Sequence, residues 1–425
     1  MRYEDVERYI LDIPKFTNKN SLSHTRLFLD ELGIDCGKRK IIHVAGTNGK
    51  GTVCAYMANV LKRCNKEAGM FISPHLVRMT ERIYVNGENI TEDEFVESFQ
   101  RVKDVVDRMT TSGYPHPSYF EFLFLMSMDV FSRRDVEYII LETGLGGRLD
   151  ATNVFEKPYI TVITSIGLDH TEILGDTISK IAYEKAGIIK KGVPVVFADI
   201  SSEATEVIVN KAEESGCKYI PVKTEDYKIL KKSNNDIDFC PLCGYYLKGV
   251  FTVPFITEYQ VQNAMLALTA LSCMEDIRDM KEEICEGIRT VRWHGRMEQV
   301  MPGVYFDGAH NGPGIEQFVQ TVKDYRCSGR KLILFSVVKE KDHEYMVQQI
   351  RDVIKPDKVY ITEVKGERSL GVEVLEREFT NIDKYVSRDI EDTFKRAISE
   401  KGQEDVLFCV GSLYLIGDLL KYTNC

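Results

Sequence analysis

"HVAGTNGKGTVCAYM", residues 43–57, decides how this chain is read. The apolar run "RKIIHVAG" (39–46) leads into a loop with three glycines and a lysine. A helical pattern follows, "TVCAYMANVLKRC" (52–64), with apolar residues at 53, 57, 60 and 61. Strand, glycine loop and helix is the order in which a phosphate site is built. The spacing departs from the common loop G-x-x-x-x-G-K-[ST]. Val44 stands in the place of the first glycine, Gly51 follows Lys50, and the hydroxyl of Thr52 comes one residue late. The chemistry survives the altered spacing. Gly46, Gly49 and Gly51 let the backbone approach phosphates without Cβ clashes. Backbone N–H groups and the start of a helix attract anions. Lys50 suits the β- and γ-phosphates, and Thr52 suits Mg2+. The plainer alternative is a glycine turn that only starts a helix.

Outward from the loop, short apolar runs alternate with amphipathic segments. "AGMFIS" (68–73), "VEYIILET" (136–143), "YITVITSI" (159–166) and "GVPVVFA" (192–198) read as buried strands. Continuous apolar strands separated by helices indicate a parallel sheet covered on both faces. Near residue 290 the pattern restarts with "GVYFDGAH" (303–310), "KLILFSVV" (331–338), "DKVYITEV" (357–364) and "EDVLFCVGS" (404–412). That is a second α/β unit of about 130 residues, with its boundary around "VRWHGRMEQ" (291–299). Residues 217–255 are polar and strand-rich, as a small β excursion would be.

The bulk numbers fit a globular enzyme. A chain of 425 residues predicts two domains. The net charge of −10 argues against nucleic-acid or anionic-membrane partners. No apolar run reaches the ~18 residues of a membrane span. The start, "MRYEDVERYILDIPKF", is unlike a signal peptide. Eleven scattered cysteines fit reduced thiols in a cytoplasm. Cys240 and Cys243 have C-x2-C spacing but no second ligand pair, so a plain turn with two thiols is expected.

Polar residues close other strands. Ser73, Glu142 and the pair Asp169–His170 all follow apolar runs, and open parallel sheets bind ligands beyond the carboxyl ends of their strands. These groups therefore converge on the edge that carries the glycine loop. A carboxylate, a hydroxyl and an imidazole beside a triphosphate suit Mg2+. Each has a bland alternative: Glu142 as a capping acid, Ser73 as a turn residue before proline, His170 as a structural histidine. Spacing alone assigns Lys185, in "YEKAGIIKKG", no role; a solvated lysine is the ordinary reading. Asp307 and His310 flank a glycine turn after a second-unit strand, where a β-turn competes with a ligand loop. Arg296 either holds phosphate or pairs with an acid.

Taken in order, "HVAGTNGKGT", "SPHLVRMTERI" (73–83), "ETGLGGRLDATN" (142–153), "TSIGLDHTEILGDTISKIAYEKAGIIK" (164–190), "QNAMLAL" (262–268), "GRME" (295–298) and "DGAHN" (307–311) cover nearly the whole chain. Together they resemble the folylpolyglutamate synthase/dihydrofolate synthase family of the Mur-ligase group. In that family "GTNGKG" is the phosphate loop, which accounts for its spacing. The resemblance implies a P-loop-type, mostly parallel sheet ATPase domain over 1–294 and a smaller Rossmann-like α/β glutamate-ligase domain over 295–425.

It also implies site roles. Gly46, Thr47, Asn48, Gly49, Lys50, Gly51 and Thr52 would hold ATP, with Asn263, Arg296 and Asp307 also on the nucleotide. Ser73, Glu142 and His170 would ligate two Mg2+ ions, supported by an N-carboxylated Lys185. Phe120, Glu121, Arg148, Leu149 and Asp150 would hold the folate. Lys50, Glu142, His170, Lys185 and His310 would serve catalysis. Two departures stand out: Gly312 follows the asparagine of "DGAHN" where the family often has proline, and His294 precedes Gly295-Arg296 where it often has "PGR". Both change loop stiffness more than chemistry.

The implied reaction is ATP-dependent amide formation in a cytoplasmic monomer. A folate or dihydropteroate carboxylate is phosphorylated, and L-glutamate displaces phosphate from the acyl phosphate, under a second domain that closes over ATP. One competing reading is another Mur-type amino-acid ligase; those carry a further domain before the loop, whereas about 40 residues precede it here. The other is a non-catalytic ATP-binding regulator, which explains the loop but not the metal set. Dual activity, folate form and polyglutamate length are not encoded legibly.

Overall fold

The computed structural model describes residues 1–14, 20–35, 37, 39–366 and 368–423. Backbone contacts divide the chain into two compact units. The first comprises residues 1–230, 238–253 and 262–291, and the second comprises 231–237, 254–261 and 292–425.

The first unit is built on an eight-stranded sheet. Its strands are β1 (Lys40–Ala45), β2 (Ala68–Phe71), β3 (Ile83–Val85), β4 (Glu88–Asn89), β5 (Tyr138–Glu142), β6 (Ile160–Ile163), β7 (Val195–Ala198) and β8 (Tyr219–Val222), in the order β4-β3-β2-β5-β1-β6-β7-β8. From β2 to β8 every pairing is parallel. The apolar runs of the sequence are these strands, and β2, β5, β6 and β7 are buried at every position, as a sheet covered on both faces requires. The edge hairpin β3–β4 is antiparallel and turns at Asn86-Gly87, both at positive φ, the chemistry of a tight two-residue hairpin. With strands of three and two residues, it lacks the longer apolar run that marks the other strands.

One face of this sheet carries an aromatic core from helices Glu92–Thr111 and Tyr119–Arg133, including Phe95, Phe99, Phe122, Phe124 and Phe131 around Phe71. Each helix starts at a capping box, Thr91 with Glu94 and Ser118 with Glu121. Lys50–Arg63 is another helix, and Gly287 of helix Lys281–Arg289 lies against Val60 within it; a Cβ on Gly287 would stand 2.6 Å from the valine methyl. A small three-stranded sheet, β9 (Tyr227–Lys232), β10 (Ile237–Pro241) and β11 (Phe251–Val253), forms the expected β excursion. Cys240 lies on β10 and Cys243 is exposed beyond it; both are free thiols.

The second unit has a six-stranded sheet of β12 (Arg296–Met301), β13 (Val304–Asp307), β14 (Lys331–Phe335), β15 (Lys358–Ile361), β16 (Lys384–Val386) and β17 (Val406–Val410), ordered β12-β13-β17-β14-β15-β16. All pairs are parallel except β12–β13. Helices Gly312–Asp324, His343–Gln349 and Val372–Glu378 cover one face; Ile390–Glu400 and Leu413–Leu420 cover the other. This is the restarted α/β pattern of the sequence. The fold class is therefore the expected one: a mostly parallel P-loop-type sheet and a smaller α/β sheet.

Candidate active site

Strand β1 lies between β5 and β6, and the glycine loop leaves its carboxyl end. Gly46 has φ +149°, and a Cβ there would stand 1.8 Å from Thr164 Oγ1. Gly49 has φ +89° and caps the helix; a Cβ would stand 2.4 Å from Asn263 Oδ1. Both positions thus exclude a side chain by conformation and by space. The helix starts at Lys50, two residues earlier than periodicity predicts, because the chain becomes helical as soon as it leaves the left-handed glycine. β6 supports the loop from below: Thr47 N–H donates to Ser165 O at 2.7 Å, and Thr164 Oγ1 donates to Asn48 O at 2.7 Å.

Two lysines meet at one carbonyl. Lys50 Nζ donates to Gly46 O at 2.9 Å and to Thr47 O at 3.1 Å. Lys185 Nζ, from helix Ile178–Ala186, donates to the same Gly46 O at 2.7 Å. Lys185 is only 4% exposed. Burial, reinforced by the charge of Lys50, lowers its pKa to about 7, against partial compensation from Asp169 and Asp150. The spacing-based reading of a solvated lysine is corrected here. Helical periodicity shows which face a residue occupies, but not that a distant loop closes over that face.

Thr52 is 1% exposed, and its hydroxyl has no hydrogen-bond partner among the described residues. A buried, unsatisfied hydroxyl in the first helical turn is costly unless a ligand takes it. Glu142 ends β5, is 5% exposed, and accepts the Ser73 N–H at 3.0 Å. Ser73 is half-buried beyond β2. His170 is different: its side chain is exposed, it sits at φ +50° ahead of the short helix Thr171–Leu174, and Asp169 Oδ1 is 4.0 Å from its Nε2. Among the described residues no group of three or more His, Cys, Asp and Glu side chains is gathered tightly enough to hold a metal alone. A metal here would need hydroxyls and substrate phosphates in its shell, which is Mg2+ rather than zinc chemistry. The donor set present, Thr52 Oγ1 and the Glu142 carboxylate with Ser73 nearby in the fold, fits that demand.

The expected folate residues divide by what they touch. Phe120 packs on Phe71 at 5.4 Å between ring centroids, and its ring covers Gly144. Glu121 is buried and accepts from the Ser118 N–H and Asn20 Nδ2, both at 2.7 Å. Arg148 pairs with Glu184 at 2.8 Å, and Leu149 is exposed. Asp150 is buried and holds its own loop, taking Leu145 N–H at 2.9 Å and the Thr152 hydroxyl at 2.6 Å.

In the second unit, Arg296 and Asp307 are cross-strand partners on β12 and β13. Asp307 is 4% exposed, accepts from Ala309 N–H at 2.8 Å and from Tyr259 Oη at 3.4 Å, and has its pKa raised by burial against the pull of Arg296. His310 Nδ1 lies 2.7 Å from Gly308 O. A carbonyl only accepts, so Nδ1 carries the proton and Nε2 is the basic nitrogen of the neutral ring. Tyr259 is not among the residues the sequence motifs single out, and it lies four positions before Asn263 in the chain.

The family model of the Mur ligase middle domain matches residues 44–271, and that of the Mur ligase glutamate ligase domain matches 295–413. A dihydrofolate synthase/folylpolyglutamate synthase of Bacillus subtilis is 33% identical, across 99% of this chain and 98% of that protein. A probable bifunctional folylpolyglutamate synthase/dihydropteroate synthase of Halobacterium salinarum is 28% identical across 98% of this chain, which spans about half (51%) of it. Among solved structures, E. coli FolC in complex with DHPP and ADP superposes with a TM-score of 0.85 at 26% identity, covering 100% of this chain and 98% of that one. Folylpolyglutamate synthase from Thermotoga maritima gives 0.83 at 27%, covering 99% and 96%. With both Mur ligase models matched in order and a relative aligned end to end, the chain belongs to the folylpolyglutamate synthase/dihydrofolate synthase family of Mur ligases.

Proposed function

We propose that this protein ligates L-glutamate to a reduced folate at the expense of ATP, with dihydropteroate as a second acceptor, releasing ADP and phosphate. The observation that carries the reading is the meeting of Lys50 and Lys185 on the Gly46 carbonyl, beside the buried hydroxyl of Thr52. A structural glycine turn has no use for two lysine amines on one carbonyl, one of them buried. A nucleotide-binding loop does.

The acid substrate's carboxylate attacks the γ-phosphorus of ATP, and ADP leaves. The acyl phosphate is then attacked by the glutamate amine, and phosphate departs with the carbonyl–oxygen bond. Lys50 neutralises charge that develops on the phosphates, and the loop amides of Gly46–Thr52 hold them in line. Bound Mg2+, at two sites, would neutralise further phosphate charge; Ser73, Glu142 and His170 are the proposed ligands, with Thr52 beside them. A lysine with its pKa near 7 is neutral often enough to add CO2, forming a carbamate with loss of a proton, so Lys185 is proposed to work N-carboxylated. Asn263, Arg296 and Asp307 are assigned to the nucleotide. Phe120, Glu121 and Arg148–Asp150 are assigned to the pterin end. His310 Nε2 is assigned to the proton lost by the glutamate amine.

We assign residues 1–294 to the ATP-binding part and 295–425 to the glutamate-ligase part, and infer a cytoplasmic monomer acting on small molecules alone. No helix among the described residues is long and apolar enough to cross a membrane. The test is ADP release by purified protein with ATP, Mg2+ and glutamate, plus either dihydropteroate or tetrahydrofolate. Release is expected to require both the pterin acid and glutamate. Release without any pterin acid would overturn the assignment in favour of a nucleotide hydrolase or another Mur-type ligase.

A further inference from the structure

His43 is a buried titratable group that the mechanism above leaves unused. It lies on β1 and is 2% exposed. Its Nε2 is 2.8 Å from Thr152 Oγ1, and Thr152 Oγ1 is 2.6 Å from Asp150 Oδ1. The direction of this chain follows from chemistry. Asp150 also takes the Thr152 N–H at 3.1 Å and, on its other oxygen, the Leu145 N–H at 2.9 Å, so it acts as an acceptor throughout. A hydroxyl has one proton; Thr152 spends it on the carboxylate and must accept from His43. His43 is therefore the Nε2–H tautomer. Burial, together with the nearby Lys190 ammonium, pushes its pKa down to about 3, so the ring stays neutral in any physiological buffer.

We propose that His43 is a positioning residue for the acid substrate: acting through Thr152, it sets the Asp150 carboxylate and with it the loop 144–150. The anchor is the same strand that opens the phosphate loop three residues later, at Gly46. One rigid element thus carries both the loop assigned to phosphates and the support of the loop assigned to the pterin. The adjoining Asn153 adds a second tie, its Nδ2 donating to Arg148 O and to Gly187 O, both at 3.1 Å. The inference deepens the reading above and rests on the assignment of Arg148–Asp150 to the pterin end.

The experiment compares His43→Leu and Thr152→Val, which break the chain, with His43→Gln and Thr152→Ser, which keep a donor or hydroxyl in place. Each breaking variant is expected to raise KM for dihydropteroate or tetrahydrofolate on the order of tenfold, because Thr152→Val removes the hydroxyl donor to the buried carboxylate and His43→Leu removes the group that orients that hydroxyl. KM for ATP and the affinity for ADP should move by less than about twofold. The conservative variants should recover most of the loss, and the double variant should be no worse than the poorer single one, as for members of one chain. Equal losses for both substrates, or a lowered melting temperature with unchanged KM values, would overturn the proposal. If His43→Leu does not fold, Thr152→Val carries the test. Should the wild-type protein use no pterin acid, the substrate assignment fails separately. Amide exchange at Leu145 then decides the positioning chain: acceleration in the breaking variants supports it, and unchanged exchange overturns it.

Discussion

Two loops of this molecule begin alike and end differently. Gly46–Thr52 follows β1, and Asp307–Asn311 follows β13; each leaves a buried strand and enters a helix. In the first unit three glycines open the loop backbone, and two lysine amines converge on one of its carbonyls. In the second unit the buried Asp307 carboxylate accepts the Ala309 N–H, and the His310 imidazole donates to the Gly308 carbonyl. The same strand–loop–helix geometry thus carries two lysine amines in one unit and a carboxylate and an imidazole in the other. Backbone geometry provides a place for a ligand, and the residues at three or four positions decide its charge.

The sharpest way to break this contrast is Lys50→Ala, which removes the lysine held by the Gly46 and Thr47 carbonyls. We expect kcat to fall on the order of a thousandfold with the melting temperature little changed; activity within tenfold of wild type would remove Lys50 from the chemistry. Next is Lys185. Lys185→Ala should lose about a hundredfold, and Lys185→Glu should recover part of it by restoring an anion, as expected for a group that supports bound metal. Equal loss in both variants would exclude the carbamate, and 13C-labelled bicarbonate gives an independent spectroscopic check. In the other loop, Asp307→Asn keeps the shape and removes the charge. KM for ATP should rise about tenfold, with kcat less affected. A variant in which kcat alone falls would move Asp307 from nucleotide binding to the reaction itself.

The smallest effect concerns stability of the second unit. Burial raises the Asp405 carboxyl, but hydrogen bonds from the Arg330 guanidinium and N–H and from the Gly402 N–H more than reverse this, bringing it to about 2 from an ordinary 3.8. A depressed folded-state pKa contributes stability that is present above pH 3.8 and is lost as pH falls towards 2. Asp405→Asn should therefore cost about 1–2 kcal/mol at neutral pH and much less near pH 2. The measurement is denaturant unfolding at both pH values. A pH-independent cost would mean that packing, not charge, is what the substitution removes.

Legibility followed locality. The buried parallel strands were readable because each is a continuous apolar run, and their ends named Ser73 and Glu142. The β3–β4 hairpin is hard to read from sequence, although Asn86-Gly87 marks its turn, because its strands are only three and two residues long. Strand β7 starts at Val195, not at Gly192, where φ of +72° keeps the chain in a turn. His170 was placed by its strand, but the exposure of its ring could not be inferred from neighbours in sequence.

By itself, the sequence determined the strand–glycine loop–helix order, the two α/β units and the family to which the chain belongs. Those properties live in short-range patterns: apolar periodicity, turn residues and motif order. Only the tertiary structure decided the state of the charged groups. Lys185 is a surface lysine by composition and a buried amine with its pKa lowered to about 7 by fold, because a loop 139 residues away in sequence closes on it. Asp150 stands in the motif as a polar loop residue, and the fold shows its carboxylate buried and taking the Thr152 hydroxyl on one oxygen and the Leu145 N–H on the other. Burial and pairing are set by what packs on a residue from elsewhere in the chain, and desolvation moves a protonation equilibrium by amounts that no local pattern encodes.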